Sequence, residues 1–89
     1  MARVHELKCV PPYFSMVRLG IKPFEVRLDD RGFIASDQLL LKEWIDDTQQ
    51  FTGEEFLADV TFVLHGGRFG IERGYVVMGI KPATTGGEE

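Results

Sequence analysis

Apolar and polar residues alternate most regularly between residues 56 and 65. Five apolar side chains fall on one side of this alternation: Phe56, Ala58, Val60, Phe62 and Leu64. A repeat of two residues is typical of a β-strand with one buried face. The pattern therefore predicts a long strand with Phe56, Val60, Phe62 and Leu64 among its core residues.

Shorter stretches favour four more strands, at residues 4–10, 24–28, 38–44 and 75–80. In the first of them, His5, Leu7 and Cys9 share one side. The run of leucines at 39–41 predicts a strand buried on both faces. Residues 46–53 are polar and predict a loop before the long strand.

One short helix is predicted between the first two strands. Tyr13, Met16 and Val17 have helical spacing and predict a buried face, within a helix at about residues 12–19. Gly20 fits the left-handed position just past a helix end.

The strand at residues 24–28 carries apolar residues at its even positions and charged residues at the odd ones. The alternation predicts that Phe24, Val26 and Leu28 are buried. Pro23 forces the residue before it into an extended conformation, so the chain turns sharply between the helix and this strand.

Charged residues gather at this turn, where Lys22, Glu25 and Arg27 are expected on the open side of the strand. A lysine, an acid and an arginine at one mouth of a small sheet form a candidate site. The alternative is a solvated strand face whose ion pairs are only structural.

Composition limits the remaining possibilities. The 89 residues are 44% apolar, enough for a single domain, expected at residues 1–81 with a flexible C-terminal tail at 82–89. The single cysteine fits a reducing, cytoplasmic location, and no apolar run is long enough to cross a membrane. Two histidines and one cysteine make a zinc site improbable, and no cofactor is expected.

Charge is distributed unevenly along the chain. The net charge is -4, but residues 1–31 carry +2 and the rest carry -6. Long nucleic acids need many phosphate contacts, which this balance does not favour. A nucleotide or a short RNA in a locally basic cleft remains compatible with it.

Four segments resemble ASCH domains (activating signal cointegrator homology), and in particular a small uncharacterised branch found in bacteria and phages. They are Gly20-x-Lys22-x-x-Glu25-x-Arg27, the strand His5-Glu6-Leu7-Lys8, the pair Asp30-Arg31, and the strand Gly74-Tyr75-Val76-Val77. The resemblance implies a PUA-like β-barrel whose signature residues line a cleft for RNA or nucleotides. The predicted fold is thus mainly β (α+β), a small PUA-like barrel of about five strands with one helix.

Two classes of chemistry remain open at the cleft. In a binding module, Lys22, Arg27 and Arg31 would donate to phosphates or bases. Glu25 would accept from an exocyclic amine, and Tyr75 or Trp44 would stack on a base unless they only pack in the core.

In a hydrolase of modified nucleosides or RNA, Lys22 would be the nucleophile or base and Glu25 would shuttle the proton. Some ASCH amidohydrolases use a Lys, a Thr and a Glu, but Phe24 and Glu25 stand where the threonine is expected. His5 is a further candidate base. A protein-interaction module using the acidic face is the remaining alternative, and the oligomeric state stays open.

Overall fold

The computed structural model describes residues 3–83, which form five strands and one α-helix. The elements are β1 (Val4–Cys9), α1 (Tyr13–Arg18), β2 (Phe24–Leu28), β3 (Gln38–Ile45), β4 (Gln50–His65) and β5 (Tyr75–Pro82). The prediction of a mainly β chain with one helix between the first two strands is confirmed.

All five strands form one sheet in the order β1-β3-β4-β5-β2. β1 runs parallel to β3, and every other pair is antiparallel. The sheet curls into a half-barrel, so its two edge strands, β1 and β2, face each other. Two arginines bridge the gap, because Arg27 donates to the Lys8 carbonyl oxygen at 2.7 Å and Arg31 to that of Glu6 at 3.1 Å. The relation to PUA-like barrels stays a prediction.

The core lies inside the curl. β1 contributes Leu7 and Cys9, on the side that the alternation predicted. The rest of the core is Phe14, Val17, Phe33, Leu39, Leu41, Ala58, Val60, Val76, Met78 and Ile80. Because α1 buries Phe14 and Val17, the predicted face of Tyr13, Met16 and Val17 was correct at Val17, correct only in part at the half-buried Met16 and wrong at the exposed Tyr13. In a helix of six residues, Phe14 and Val17 are three positions apart, so they can form one buried face as readily as the predicted residues.

The strand β2 contradicts its predicted orientation. Phe24, Val26 and Leu28 are 41%, 51% and 53% exposed, whereas Glu25 is only 3% exposed. The charged side points inward because two basic side chains neutralise the Glu25 carboxylate. Their ion pairs offset the free-energy cost of removing that charge from water. The apolar side points outward onto a face of the sheet that no helix covers among the described residues.

The strand β4 also departs from its predicted pattern, at a β-bulge. The pairing with β5 shifts register between Val60 and Phe62, so Thr61 is an extra residue. Beyond it the alternation reverses: Val63 packs against the core and Phe62 is 63% exposed. Phe62 and Leu64 are therefore not core residues as predicted, because a bulge exchanges the two faces of a strand.

Smaller differences concern β3 and β4. Leu39 and Leu41 are fully buried but Leu40 is only half-buried, so β3 is not buried on both faces. The predicted loop at residues 46–53 is a turn at 46–49, and β4 already begins at Gln50.

The predicted tail began at Pro82, but that residue ends β5. The next residue, Ala83, still donates its backbone N–H to the Leu57 carbonyl oxygen at 3.0 Å. Residues 84–89 lie outside the described part of the chain.

Over residues 3–83, no helix combines the length and the apolar character that spanning a membrane would require.

Candidate functional site

A cleft between the edge strands β1 and β2 holds two adjoining cavities of about 430 and 340 Å³. Lys8 and Arg27 line both of them. The larger cavity is also lined by Glu6, Leu7, Leu28, Asp30, Arg31, Phe33, Lys42 and Phe51. The smaller one is also lined by Cys9, Val10, Tyr13, Lys22, Glu25 and Val26.

Glu25 is the centre of an ion-pair network in the wall of the smaller cavity. One carboxylate oxygen, Oε2, accepts from Lys22 Nζ at 3.1 Å, and the other, Oε1, accepts from Arg27 Nε at 3.0 Å. Lys22 Nζ also donates to the Phe24 carbonyl oxygen at 3.0 Å. Since every partner is largely shielded from water, these are the charge-assisted bonds that fix a side chain in place.

The two cleft arginines cap the open edge of β1. Alternate carbonyl groups of an edge strand have no partner in the sheet. Arg27 and Arg31 satisfy those of Lys8 and Glu6 across the gap. A guanidinium carries five N–H donors, so Arg27, which uses one on Glu25 and one on Lys8, keeps others for a ligand.

Two lysines that the sequence analysis passed over also line the cleft. Lys8 and Lys42 are direct neighbours in the pairing of β1 with β3. Each ammonium lies over an aromatic ring, Lys8 at 3.8 Å from the centroid of Trp44 and Lys42 at 4.8 Å from that of Phe51. Lys42 also has Glu6 at 3.5 Å, whereas no carboxylate within residues 3–83 forms an ion pair with Lys8. The signal for Lys8 in the sequence was the outward phase of the alternation in β1, whereas Lys42 lies on β3 and reaches the cleft through the pairing of the two strands.

Of the six predicted site residues, four meet at the cleft: Lys22, Glu25, Arg27 and Arg31. The other two, His5 and Tyr75, line neither cavity. Tyr75 lies across from Leu28 on the outer side of the sheet, 36% exposed. Trp44 likewise lines neither cavity, and Lys8 covers one face of its ring.

His5 belongs instead to a second buried ion cluster. Its Nε2 lies 3.0 Å from Asp37 Oδ2, and its ring packs edge-on against Phe33. Arg3 donates to both oxygens of Asp37, at 3.2 and 2.8 Å, and the Ile34 N–H donates at 3.1 Å. The sequence showed Asp37 only as part of a polar turn.

The pKa of Asp37 shows how strongly this cluster favours the carboxylate. Burial alone would raise the pKa, but hydrogen bonds from Arg3, His5 and the Ile34 amide outweigh it and lower the pKa to about 2. Asp37 is therefore ionised at neutral pH although it is only 1% exposed. Because Asp37 directly precedes β3, its bonds to Arg3 and His5 connect the start of β1 to the start of β3.

Cys9 borders the smaller cavity but is buried. Burial, and then the nearby Glu25 carboxylate, raise the pKa of its thiol to about 11. At neutral pH the group is a neutral thiol, which is a poor nucleophile. Residues 3–83 contain no group of three or more His, Cys, Asp or Glu side chains that could hold a metal ion.

Comparison with known proteins identifies relatives of this chain. A family model described as "Domain of unknown function (DUF3850)" matches residues 4–80. A protein of Escherichia phage P2, "Uncharacterized 12.9 kDa protein in GpA 3'region", is 40% identical over 63 residues. The matched part covers 71% of this chain and 56% of the phage protein, so the chain spans just over half of that relative's length. Neither description names an activity or a ligand, and neither mentions ASCH domains.

Proposed function

The chain belongs to the DUF3850 family, whose description assigns no activity, and we propose that its cleft binds a nucleotide or a short single-stranded RNA. The proposal extends to modified nucleotides. The resemblance to ASCH domains favours the same class of ligand. The larger part of the argument rests on the side chains around the cleft.

The observation that carries the proposal is the concentration of cations at the cleft. Five of the ten lysine and arginine residues line its two cavities: Lys8, Lys22, Arg27, Arg31 and Lys42. The whole chain nevertheless has a net charge of -4. Three carboxylates, Glu6, Glu25 and Asp30, line the same cavities, so the formal balance of the cleft is +2 and that of the remaining chain is -6. This difference favours a small anion at the cleft over the rest of the surface.

The dimensions of the cleft favour a small ligand. Its cavities of about 430 and 340 Å³ lie near the lower end of the range for small-molecule sites, roughly 300–1,000 Å³. The rings of Tyr13 and Phe51 line the cleft and are 49% and 48% exposed, so a base has two candidate surfaces for stacking. Each Glu25 oxygen has a second lone pair with which to accept from an exocyclic amine.

Titration of mononucleotides and short oligoribonucleotides at several salt concentrations tests the proposal. Two or three phosphate contacts predict a log–log slope of binding against salt of roughly -1.5 to -2. A slope steeper than about -4 would indicate an extended nucleic-acid track rather than this cleft. Absence of binding to any nucleoside, nucleotide or short RNA would refute the proposal.

One contact supports a second candidate function, hydrolysis of a modified nucleoside or RNA. Lys22 Nζ and Glu25 Oε2 are 3.1 Å apart in the wall of a cavity. A lysine and a carboxylate at hydrogen-bond distance form a pair suited to nucleophilic and general acid–base catalysis. Assaying the wild-type protein and a Lys22→Arg variant against modified nucleosides separates this function from binding alone.

A further inference from the structure

A continuous apolar surface covers the convex side of the sheet, away from the core. It consists of seven side chains on three neighbouring strands, named here the outer face: Phe24, Val26 and Leu28 of β2, Tyr75 and Val77 of β5, and Phe62 and Leu64 of β4. Strand pairing makes them direct neighbours, because Val26 lies opposite Val77 and Val77 opposite Leu64. Val77 occupies the centre of the surface.

The members of the outer face are exposed to an unusual degree for large apolar residues. Phe62 is 63% exposed, Val26 51% and Phe24 41%. None of the seven side chains is charged. An exposed apolar surface of this continuity marks an interaction site more often than a solvated face.

The area available matches what a dimer of this chain requires. From typical aromatic and aliphatic areas, the outer face exposes on the order of 400–500 Å² of apolar surface. A standard interface buries roughly 800 Å² on each partner, of which about 65% is apolar in homodimers, or about 500 Å². The apolar area exposed by the outer face is therefore nearly as large as the apolar area that each partner buries in such a homodimer.

The chemistry of the surface also favours a second copy over other occupants. Nucleic acid requires cations, and the outer face has none. Two sheets of this kind pack face to face about 10 Å apart, with strand directions within about 30°. If a two-fold axis passes through the centre of the outer face, both partners contribute the same surface to the interface.

We propose that two copies of this chain associate through their outer faces in a symmetric dimer. The interface core is formed by Phe62, Leu64 and Val77, which line neither cavity, whereas Val26 and Leu28 lie where the outer face meets the cleft. This inference does not depend on what the cleft binds.

Sedimentation velocity of the full chain, from low-micromolar to submillimolar concentration, tests the dimer. Phe62→Lys and Val26→Lys should each weaken association at least about 100-fold, because every substitution acts twice in a symmetric interface. Both side chains are exposed in the single chain, so these variants should keep the wild-type far-UV circular dichroism, and their melting temperature should equal that of the wild type at concentrations where the wild type is monomeric. Phe69→Lys is the matched control, since Phe69 is 78% exposed but lies in the turn between β4 and β5. It should leave association unchanged.

A cross-link provides the second measurement. Val77→Cys places a thiol at the centre of the outer face, where mild oxidation should give a disulfide-linked dimer; buried Cys9 should not compete. Wild-type protein that is monomeric at every concentration would overturn the proposal. A dimer that persists in Phe62→Lys and Val26→Lys would overturn it as well.

Discussion

Two buried carboxylates, Asp37 and Glu25, each bind two basic side chains, but they lie near opposite ends of β1. Asp37 holds Arg3 and His5 beside the start of that strand. Glu25 holds Lys22 and Arg27 beside its end. Both carboxylates are less than 5% exposed. The residue types are nearly the same, yet of the two clusters only that of Glu25 lines the cleft between β1 and β2.

The difference lies in what else each cluster contacts. Asp37 also accepts from the Ile34 amide, and Arg3 donates to the Gly32 carbonyl oxygen, so that cluster binds its own loop. In the Glu25 cluster, Lys22 and Arg27 have side chains 19% and 24% exposed, with N–H groups toward the cleft. A carboxylate whose partners all belong to the fold stabilises the fold. One whose partners also reach an open cavity can position a ligand.

The largest expected effect is on stability, from Asp37→Ala. The substitution leaves the buried His5 and the Ile34 N–H without a partner, which should lower the free energy of unfolding by about 2–4 kcal/mol. Urea denaturation followed by tryptophan fluorescence measures this. The matched substitution Glu25→Ala should cost about 1–2 kcal/mol, because both of its cations reach the open cleft and can be hydrated there, whereas Asp37→Ala leaves a His5 side chain that is only 10% exposed. Equal losses at the two positions would contradict the distinction between the clusters.

Lowering the pH should reveal the structural role of the Asp37 cluster, because it protonates the Asp37 carboxylate. Its pKa is about 2 in the folded chain and ordinarily 3.8, so the folded state binds this proton less readily than the unfolded state. The stabilisation is fully present above about pH 5 and is lost as the pH falls toward 2, a loss of about 2 kcal/mol. Urea midpoints of wild type and Asp37→Asn should therefore converge over this range. Asp47→Asn, at an exposed position in the β3–β4 turn, should stay parallel to wild type.

Much of the fold followed from hydrophobic periodicity. The five strands and the helix lie where the pattern predicted, except that β4 begins at Gln50 rather than near Phe56. The same periodicity predicted the wrong buried face for β2 and for the end of β4. For β4, the extra residue Thr61 exchanges inside and outside at Phe62, and no local pattern reveals a bulge. For β2, Glu25 is buried because Lys22 and Arg27 neutralise it, and hydrophobic periodicity carries no information about such ion pairs.

The candidate site was predictable where its residues are close in sequence. Lys22, Glu25 and Arg27 are separated by at most five residues, so one turn and one strand bring them together. Lys42 joins them only because β1 pairs with β3, which lies far along the chain. Asp37 was missed for the same reason, since its partners Arg3 and His5 are more than 30 residues away.

Arginine substitutions should separate the clusters by their effect on ligand binding. Arg27→Ala removes charge-assisted bonds at the junction of the two cavities, and we expect about 10–100-fold weaker binding of a nucleotide. Arg3→Ala should lower stability slightly and leave nucleotide affinity unchanged. Isothermal titration calorimetry on both variants provides the comparison. If Arg27 served only to pair with Glu25, its substitution would reduce stability without altering affinity.

The smallest expected change is in Lys22→Arg, which also distinguishes the two candidate functions of the cleft. Arginine preserves the positive charge beside Glu25, so a binding site should keep its nucleotide affinity within about threefold. As a nucleophile or base, lysine must lose its proton, and a guanidinium does not do so at any working pH. Lys22→Arg should therefore abolish hydrolysis of a modified nucleoside, if the wild-type protein catalyses it, while leaving binding in place.

Lys42→Arg is the control, because Lys42 borders only the larger cavity and this substitution should leave both measurements unchanged. Turnover that survives in Lys22→Arg would exclude Lys22 as the nucleophile or base. A large loss of nucleotide affinity without any measurable hydrolysis would show instead that the ligand depends on the shape of the ammonium group, which binds as a compact point charge, rather than on its charge alone.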